Sequence, residues 1–197
     1  ALLDHAAAAT TRERGLDDGD FLAFAAVWPA VREGYLAWLV EHDATGARFE
    51  RAESDGLTPL GDWTLHGRVD RIDRAADGQA LVIDYKTESR TRTADRIKNA
   101  HEDTQLAFYA ALLSDDTLRA AYLNVGERDG TKLYEQPDVT VLRDRLIDSI
   151  RHDLTRIADG APLPALGEGS ACDWCSARGL CRRDSWASGS TSTGALL

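Results

Sequence analysis

Two stretches of the chain carry the strand-like pattern, rich in aliphatic and β-branched residues: Leu65-His66-Gly67-Arg68-Val69-Asp70-Arg71-Ile72-Asp73 and Leu81-Val82-Ile83-Asp84-Tyr85-Lys86-Thr87. Asp77-Gly78 lies between them as a hairpin signal, so the pattern predicts two paired strands over 63–74 and 79–87. Upstream, Phe21, Phe24, Val27, Trp28, Val31, Tyr35, Trp38 and Leu39 recur at helical spacing. That predicts an amphipathic helix over 21–43, with Pro29 as its awkward member and Trp28, Tyr35 and Trp38 as packing residues. The Ala-rich segment 1–14 predicts a helix, followed by a break at 15–19. Residues 48–53 read as a short first strand, followed by a connection bearing Gly56 and Pro59. Beyond the hairpin, 88–102 is polar and Arg-rich, a loop or a short helix, and 102–113 is a helix. A second hairpin over 119–125 and 131–135 turns at Glu127-Arg128-Asp129-Gly130, and 139–158 is a long amphipathic helix ending at Gly160. The order is helix, three strands, helix, two strands, helix.

After Pro162 and Pro164 the pattern loses its periodicity. Residues 163–186 carry the three cysteines and are expected to be organised by a ligand, and 187–197 is a Ser-, Thr- and Gly-rich tail expected to be disordered. Composition adds little to this picture: 197 residues, 43% hydrophobic and 28% charged, fit one globular domain over 1–186. There is no apolar run of about 18 residues and no basic-then-apolar start, so no membrane span or signal peptide is expected and the cytoplasm is the predicted location. Three clustered cysteines argue against a disulfide framework and for a ligand set. A formal net charge of −10 counts against indiscriminate nucleic-acid binding, which needs Lys and Arg. Arg is clustered, however, at Arg68, Arg71 and Arg74, at Arg90, Arg92 and Arg96, and at Arg178, Arg182 and Arg183, which leaves room for a local basic path.

The candidate chemistry lies on the strands. Side chains two apart share a strand face, so Asp84 and Lys86 project together, about 6.6 to 6.8 Å apart along the chain. Asp70 on the hairpin partner can bring a second carboxylate nearby. Two hard oxygen donors beside an ammonium suit Mg²⁺ and attack on a phosphodiester. An ordinary ion pair on a half-exposed strand is the other reading of Asp84 and Lys86. Gln105 and Tyr109 stand one turn apart on one helix face, either as a surface Gln with a packed Tyr or as a pair aimed at the site. His66 shares strand parity with Asp70 and reads either as a site residue or as a hydrogen-bonded structural histidine. Asp73 caps the turn or pairs with Arg71 or Arg74. Cys172-x2-Cys175-x5-Cys181 has the spacing of a zinc or iron-sulfur ligand set, but such sites take four protein ligands and the chain offers three cysteines.

Gly67-x-x-Asp70, Asp84-x-Lys86 and Gln105-x-x-x-Tyr109, in that order, resemble the PD-(D/E)XK nucleases, in particular the RecB and AddB branch, and the cysteine motif resembles that of the members carrying a 4Fe-4S cluster. The resemblance implies a restriction-endonuclease-like α/β domain with a mixed central sheet flanked by helices. It implies Asp70, Asp84, Lys86, Gln105 and Tyr109 as catalytic residues. Mg²⁺ or Mn²⁺ would be held by Asp70, Asp84, the Tyr85 backbone carbonyl and an additional Glu53. Cys172, Cys175 and Cys181 would be cluster ligands whose fourth partner, far upstream in the family, is missing here. Arg68, Arg90 and Arg92 are the candidate DNA contacts. The implied activity is DNA hydrolysis, as the exonuclease module of a helicase-nuclease acting on single-stranded ends in double-strand break repair. The rival readings are a catalytically silent DNA-binding or scaffolding module, a stand-alone nuclease resembling those of CRISPR spacer acquisition, and a zinc-ribbon interaction module.

Overall fold

A computed structural model of the chain describes residues 1–16, 22–113, 115–126, 130–161, 172 and 175–181. Its elements are α1 (Leu2–Glu13), α2 (Leu22–Ala44), β1 (Arg48–Leu60), β2 (Trp63–Arg74), β3 (Ala80–Lys86), α3 (Arg90–Lys98), α4 (Gln105–Ala111), β4 (Arg119–Val125), β5 (Thr131–Glu135), α5 (Val139–Ala158) and α6 (Arg178–Cys181). The five strands form one sheet in sequence order, antiparallel throughout except for the parallel pair β3 and β4. Parallel neighbours need a crossover, and here it carries α3 and α4. β3 is buried on both faces, which is why Leu81-Val82-Ile83 reads as a continuous apolar run. On one face Leu81, Ile83, Ala121 and Leu123 pack with Trp38, Tyr35 and Leu39 of α2. On the other, Ile72, Val82, Ala120 and Tyr122 pack with Leu106 and Ala110 of α4 and with Leu112. The architecture is the mixed, helix-flanked α/β sheet that the sequence implied.

The chain divides into two compact units, Ala1–His152 and Asp153–Leu197, with the boundary inside α5. The sheet and α1 to α4 belong to the first. The second, among its described residues, holds the end of α5, Cys172, Cys175 and α6. No helix among the described residues is long and apolar enough to cross a membrane. The predicted turn at Glu127-Arg128-Asp129, most of 163–186 including Arg182 and Arg183, and the 187–197 tail lie outside the described residues.

Two expectations change and one open alternative is decided. β1 does not stop at Glu53 but runs to Leu60 and returns through Gly61 and Asp62, so Gly56 and Pro59 are strand residues. Pro59 is tolerated because β1 is an edge strand. Gly56 and Gly67 pair across the hairpin, and a Cβ on either would meet Leu112 at 2.8 or 2.9 Å, so this glycine pair makes the slot that seats the end of α4. Residues 90–98 settle as a helix, because the Ser89 hydroxyl caps the Arg92 N–H.

The other change concerns which face β2 presents. Leu65, Gly67 and Val69 pack toward α4, as does Ile72, whereas Arg71 and Asp73 bond to α2. Parity therefore changes at Asp70. Opposite it, Glu53 has φ 48°, and this pair is missing from the register between Ala52↔Arg71 and Ser54↔Val69. Such an irregularity re-aims side chains. It leaves His66 exposed on the face away from α4, with no hydrogen bond among the described residues, so neither reading of His66 holds.

Candidate active site

Asp84 and Lys86 sit at the end of β3, where α4 covers them. Lys86 Nζ lies 2.6 Å from Asp84 Oδ2 and donates to Gln105 Oε1 at 2.7 Å. The Gln105 amide nitrogen donates to Asp84 Oδ1 at 2.7 Å and to the Tyr109 hydroxyl at 3.1 Å. One glutamine thus binds both charges at once, and its i+4 neighbour fixes the amide, as the helical spacing predicted. Asp84 is 2% exposed. Burial raises its pKa, with the Lys86 ammonium pulling the other way and the charge of Asp70 adding to the rise. Burial also raises the Tyr109 hydroxyl, keeping it a neutral donor. The Lys86–Asp84 contact has ion-pair distance but not hydrogen-bond angles, so Asp84 Oδ2 is buried with no hydrogen bond.

Asp70 lies one step beyond Arg71↔Ile83, the last rung between β2 and β3, which places it opposite Asp84. Its Oδ2 accepts the Tyr85 backbone N–H at 3.0 Å, replacing a ladder bond where β2 leaves β3. N–H and C=O of one extended residue leave the strand on the same edge, so the Tyr85 carbonyl is on the Asp70 side. The donor set is thus two neighbouring carboxylates, a carbonyl edge and an acceptor without a hydrogen bond, which suits a hard divalent ion that takes one or two carboxylates and keeps its waters. No three of His, Cys, Asp and Glu converge as a metal-holding group among the described residues. Glu53 therefore does not join the pair. It is exposed, with its carboxylate 3.9 Å from Arg68 Nη1, because the left-handed turn of its backbone carries it outward. The three cysteines also fail to gather: Cys175 is exposed, none is in a disulfide, and the described residues support no 4Fe-4S cluster.

The arginines are more committed than their clustering suggested. Arg68 binds Asp55 through Nε at 3.0 Å, on the strand face opposite Gly67. Arg74 binds Glu50, and Arg71 is buried against Asp73. Arg96 grips both oxygens of Glu88 and also bonds Asp103, so it is not part of a basic path. Arg92 is mostly exposed and lies 3.2 Å from Glu88. Arg90 starts α3.

The opposite face carries a second buried cluster that the sequence did not announce. Asp73 takes Arg71 Nε on Oδ1 and His42 Nε2 on Oδ2, both at 2.8 Å. Arg71 donates onward to the Tyr35 hydroxyl at 2.9 Å, and His42 stacks on Trp38. The pairing of Asp73 with Arg71 was expected. His42 and the polar role of Tyr35 were missed, because α2 shows only an apolar periodicity and its partners lie more than 30 positions away. Also missed was the network under the site: Tyr122 bonds Asp103, and Asn124 Nδ2 bonds the Glu88 carbonyl and Thr93 Oγ1 at 2.8 Å each. The only sequence signals for it were Asp103 beside a helix start and Tyr122 on the buried parity of β4.

Fold and site together define an α/β domain of restriction-endonuclease-like architecture, with paired carboxylates and a lysine at the end of a mixed sheet. The family model of the PD-(D/E)XK nuclease superfamily matches residues 1–182, and the chain belongs to that superfamily. The superfamily is one of nucleases, which generally use divalent metals such as Mg²⁺. No curated protein matches the chain. Among solved structures it is similar to the crystal structure of SSO0001, at 19% identity and a TM-score of 0.42, covering 75% of this chain and 66% of that one.

Proposed function

We propose that this domain hydrolyses phosphodiester bonds of DNA in a divalent-metal-dependent reaction, with Asp70, Asp84, Lys86, Gln105 and Tyr109 as its working residues. The observation that carries the proposal is the Gln105 bridge: a single amide binds the Asp84 carboxylate and the Lys86 ammonium while Asp70 stands beside them.

Asp70 and Asp84, with the Tyr85 carbonyl on the same edge, would hold Mg²⁺ or Mn²⁺. A divalent ion bound there would supply positive charge against the charge that builds on the phosphate. Lys86 has three N–H donors; Gln105 takes one and the ammonium pairs ionically with Asp84, which leaves an N–H that can orient the attacking water or bond a phosphate oxygen. Gln105 keeps that ammonium aimed, and Tyr109 keeps the Gln105 amide from turning over. Arg90 and Arg92, at the start of α3, are the proposed contacts to the DNA backbone.

The motif order of the RecB and AddB branch supports a finer reading: an exonuclease module working in the cytoplasm on single-stranded ends, delivered by a helicase-like region during break repair. The test is cleavage of end-labelled linear and circular single-stranded oligonucleotides with Mg²⁺ or Mn²⁺. Loss of linear but not circular substrate is expected. Asp84→Asn and Lys86→Ala should each lower the rate at least about 1,000-fold with melting temperature nearly unchanged. Equal cutting by parent and both variants overturns the proposal. DNA binding without cutting in the parent supports a silent scaffolding module instead.

A further inference from the structure

Lys86 has a third neighbour that belongs to none of the motifs. Its Nζ lies 4.8 Å from the centre of the Tyr122 ring, and Tyr122 stands opposite Asp84 in the β3–β4 register. Tyr122 is 1% exposed, and its hydroxyl donates to Asp103 Oδ1. Asp103 comes two residues before Gln105, and its other oxygen is held by Arg96, which in turn grips Glu88. One side chain therefore touches the ammonium with its ring and the approach to α4 with its hydroxyl.

The need for such a device follows from the chemistry already argued. A lysine side chain has four rotatable carbons and much rotamer freedom to lose, so an unanchored ammonium spends little time aimed at one point. Asp84 is a strong anchor at 2.6 Å, but it is also the carboxylate proposed to bind the metal. With Asp84 so engaged, Gln105 Oε1 and the Tyr122 ring are what remain to hold Lys86. Both depend on Tyr122: the ring directly, and Gln105 through Asp103 at the head of its helix. A cation over an aromatic face is held more tightly the further it is desolvated, and Lys86 is only 15% exposed.

We infer that Tyr122 is a positioning residue of the proposed reaction, holding the Lys86 ammonium on its ring and the start of α4 through its hydroxyl on Asp103. This rests on the nuclease reading, and it predicts a split that general stabilisation does not produce. In Tyr122→Phe the ring stays and the Asp103 anchor goes, so kcat should fall about 3- to 10-fold with KM for DNA within about twofold. In Tyr122→Leu the ring is lost as well, and kcat should fall about 30- to 100-fold, again with little change in KM.

A spectroscopic signature separates position from activity. The Lys86 ε-methylene protons, on the carbon bonded to the Nζ that stands over the ring, should be shifted upfield by the ring current in the parent and in Tyr122→Phe, and should return to ordinary lysine values in Tyr122→Leu. Should Tyr122→Leu fail to fold, Tyr122→Phe with Asp103→Asn carries the test, and both should lower kcat to the same degree. A parent without the upfield shift overturns the inference, as does an active parent whose kcat is unchanged in Tyr122→Phe. A parent that shows the shift but cuts no DNA with Mg²⁺ or Mn²⁺ overturns the nuclease reading itself, and the inference with it, a result distinct from the other two.

Discussion

On the α2 face of the sheet Asp73 is wholly buried, with one oxygen on Arg71 and the other on His42. On the α4 face, Asp84 is nearly as buried, yet one of its oxygens has an ionic neighbour and no hydrogen bond. β2 contributes to both clusters, Arg71 and Asp73 to the first and Asp70 to the second, only a few residues apart in sequence. Burial opposes the charge on Arg71, but Asp73 and the Tyr85 hydroxyl together more than offset it and the guanidinium pKa ends up raised. Burial opposes the charge on Asp84 and there it prevails, leaving the carboxyl above its usual range despite Lys86. The first cluster is closed and holds the sheet to α2. The second is open: burial outweighs the Lys86 ammonium 2.6 Å away, and the Asp84 carboxyl stays hard to ionise. A buried charge is therefore not itself a functional signal; a buried carboxyl whose partners do not offset its burial is.

The comparison is broken most sharply by exchanging the roles. Asp84→Asn should remove at least about 1,000-fold of cleavage while changing stability by no more than about 1 kcal/mol, since the ionised form of this carboxyl is already disfavoured by burial. Oligonucleotide cleavage set beside urea unfolding checks both halves. Asp73→Ala should do the reverse. It strands Arg71 and His42 in the core and should cost about 3 to 5 kcal/mol, with activity per folded molecule retained. If Asp73→Ala is as stable as the parent, the closed cluster is not what binds α2 to the sheet.

A smaller effect separates the seat of α4 from its chemistry. A Cβ at Gly56 would stand 2.8 Å from Leu112 Cβ, which cannot swing aside as a side-chain tip would. Gly56→Ala should cost about 1 to 3 kcal/mol and lower kcat as α4 and Gln105 shift. Gly67→Ala meets only the ends of Leu112 and Phe108 and should cost less. Equal stability of Gly56→Ala and the parent, measured by urea unfolding, would show that the glycine pair is not the slot that seats α4.

The open cluster was legible in the sequence because each part obeys a local rule. Asp84 and Lys86 are two apart on a strand, Gln105 and Tyr109 are four apart on a helix, and the strand order follows from apolar runs and turns. The closed cluster was not, since His42 meets Asp73 across 31 positions and nothing in the period of α2 singles out a polar contact. β1 was read short because Gly56 and Pro59 look like a loop, and only their place on an edge strand and under Leu112 shows otherwise. Glu53 was assigned by motif position, and the irregularity opposite Asp70 that turns it outward leaves no sequence signature. Clustered arginines suggested a basic path. Arg68, Arg71, Arg74 and Arg96 instead met carboxylates brought to them by the fold.

The network beneath the open cluster supplies the smallest effect, and it is read through pH. Glu88 is largely buried, and Arg96 holds its carboxyl below the usual glutamate range, with Thr93 and Arg92 contributing. A carboxyl depressed in the folded state stabilises the fold fully above its unfolded pKa, and that contribution fades as pH falls through the folded one. The stability difference between the parent and Glu88→Gln should therefore be steady near neutral pH, about 1 kcal/mol, and should shrink progressively from about pH 5 downward. Other carboxylates titrate over the same range, so the difference between the two proteins at each pH is the quantity to follow, by urea unfolding at pH 7, 5, 4 and 3. A difference that stays constant to pH 3 would mean that the charge of Glu88 does not fasten α3 to the sheet. Asp103, and with it Gln105, would then be held by Tyr122 and by an Arg96 that needs no charge on Glu88 to stay in place.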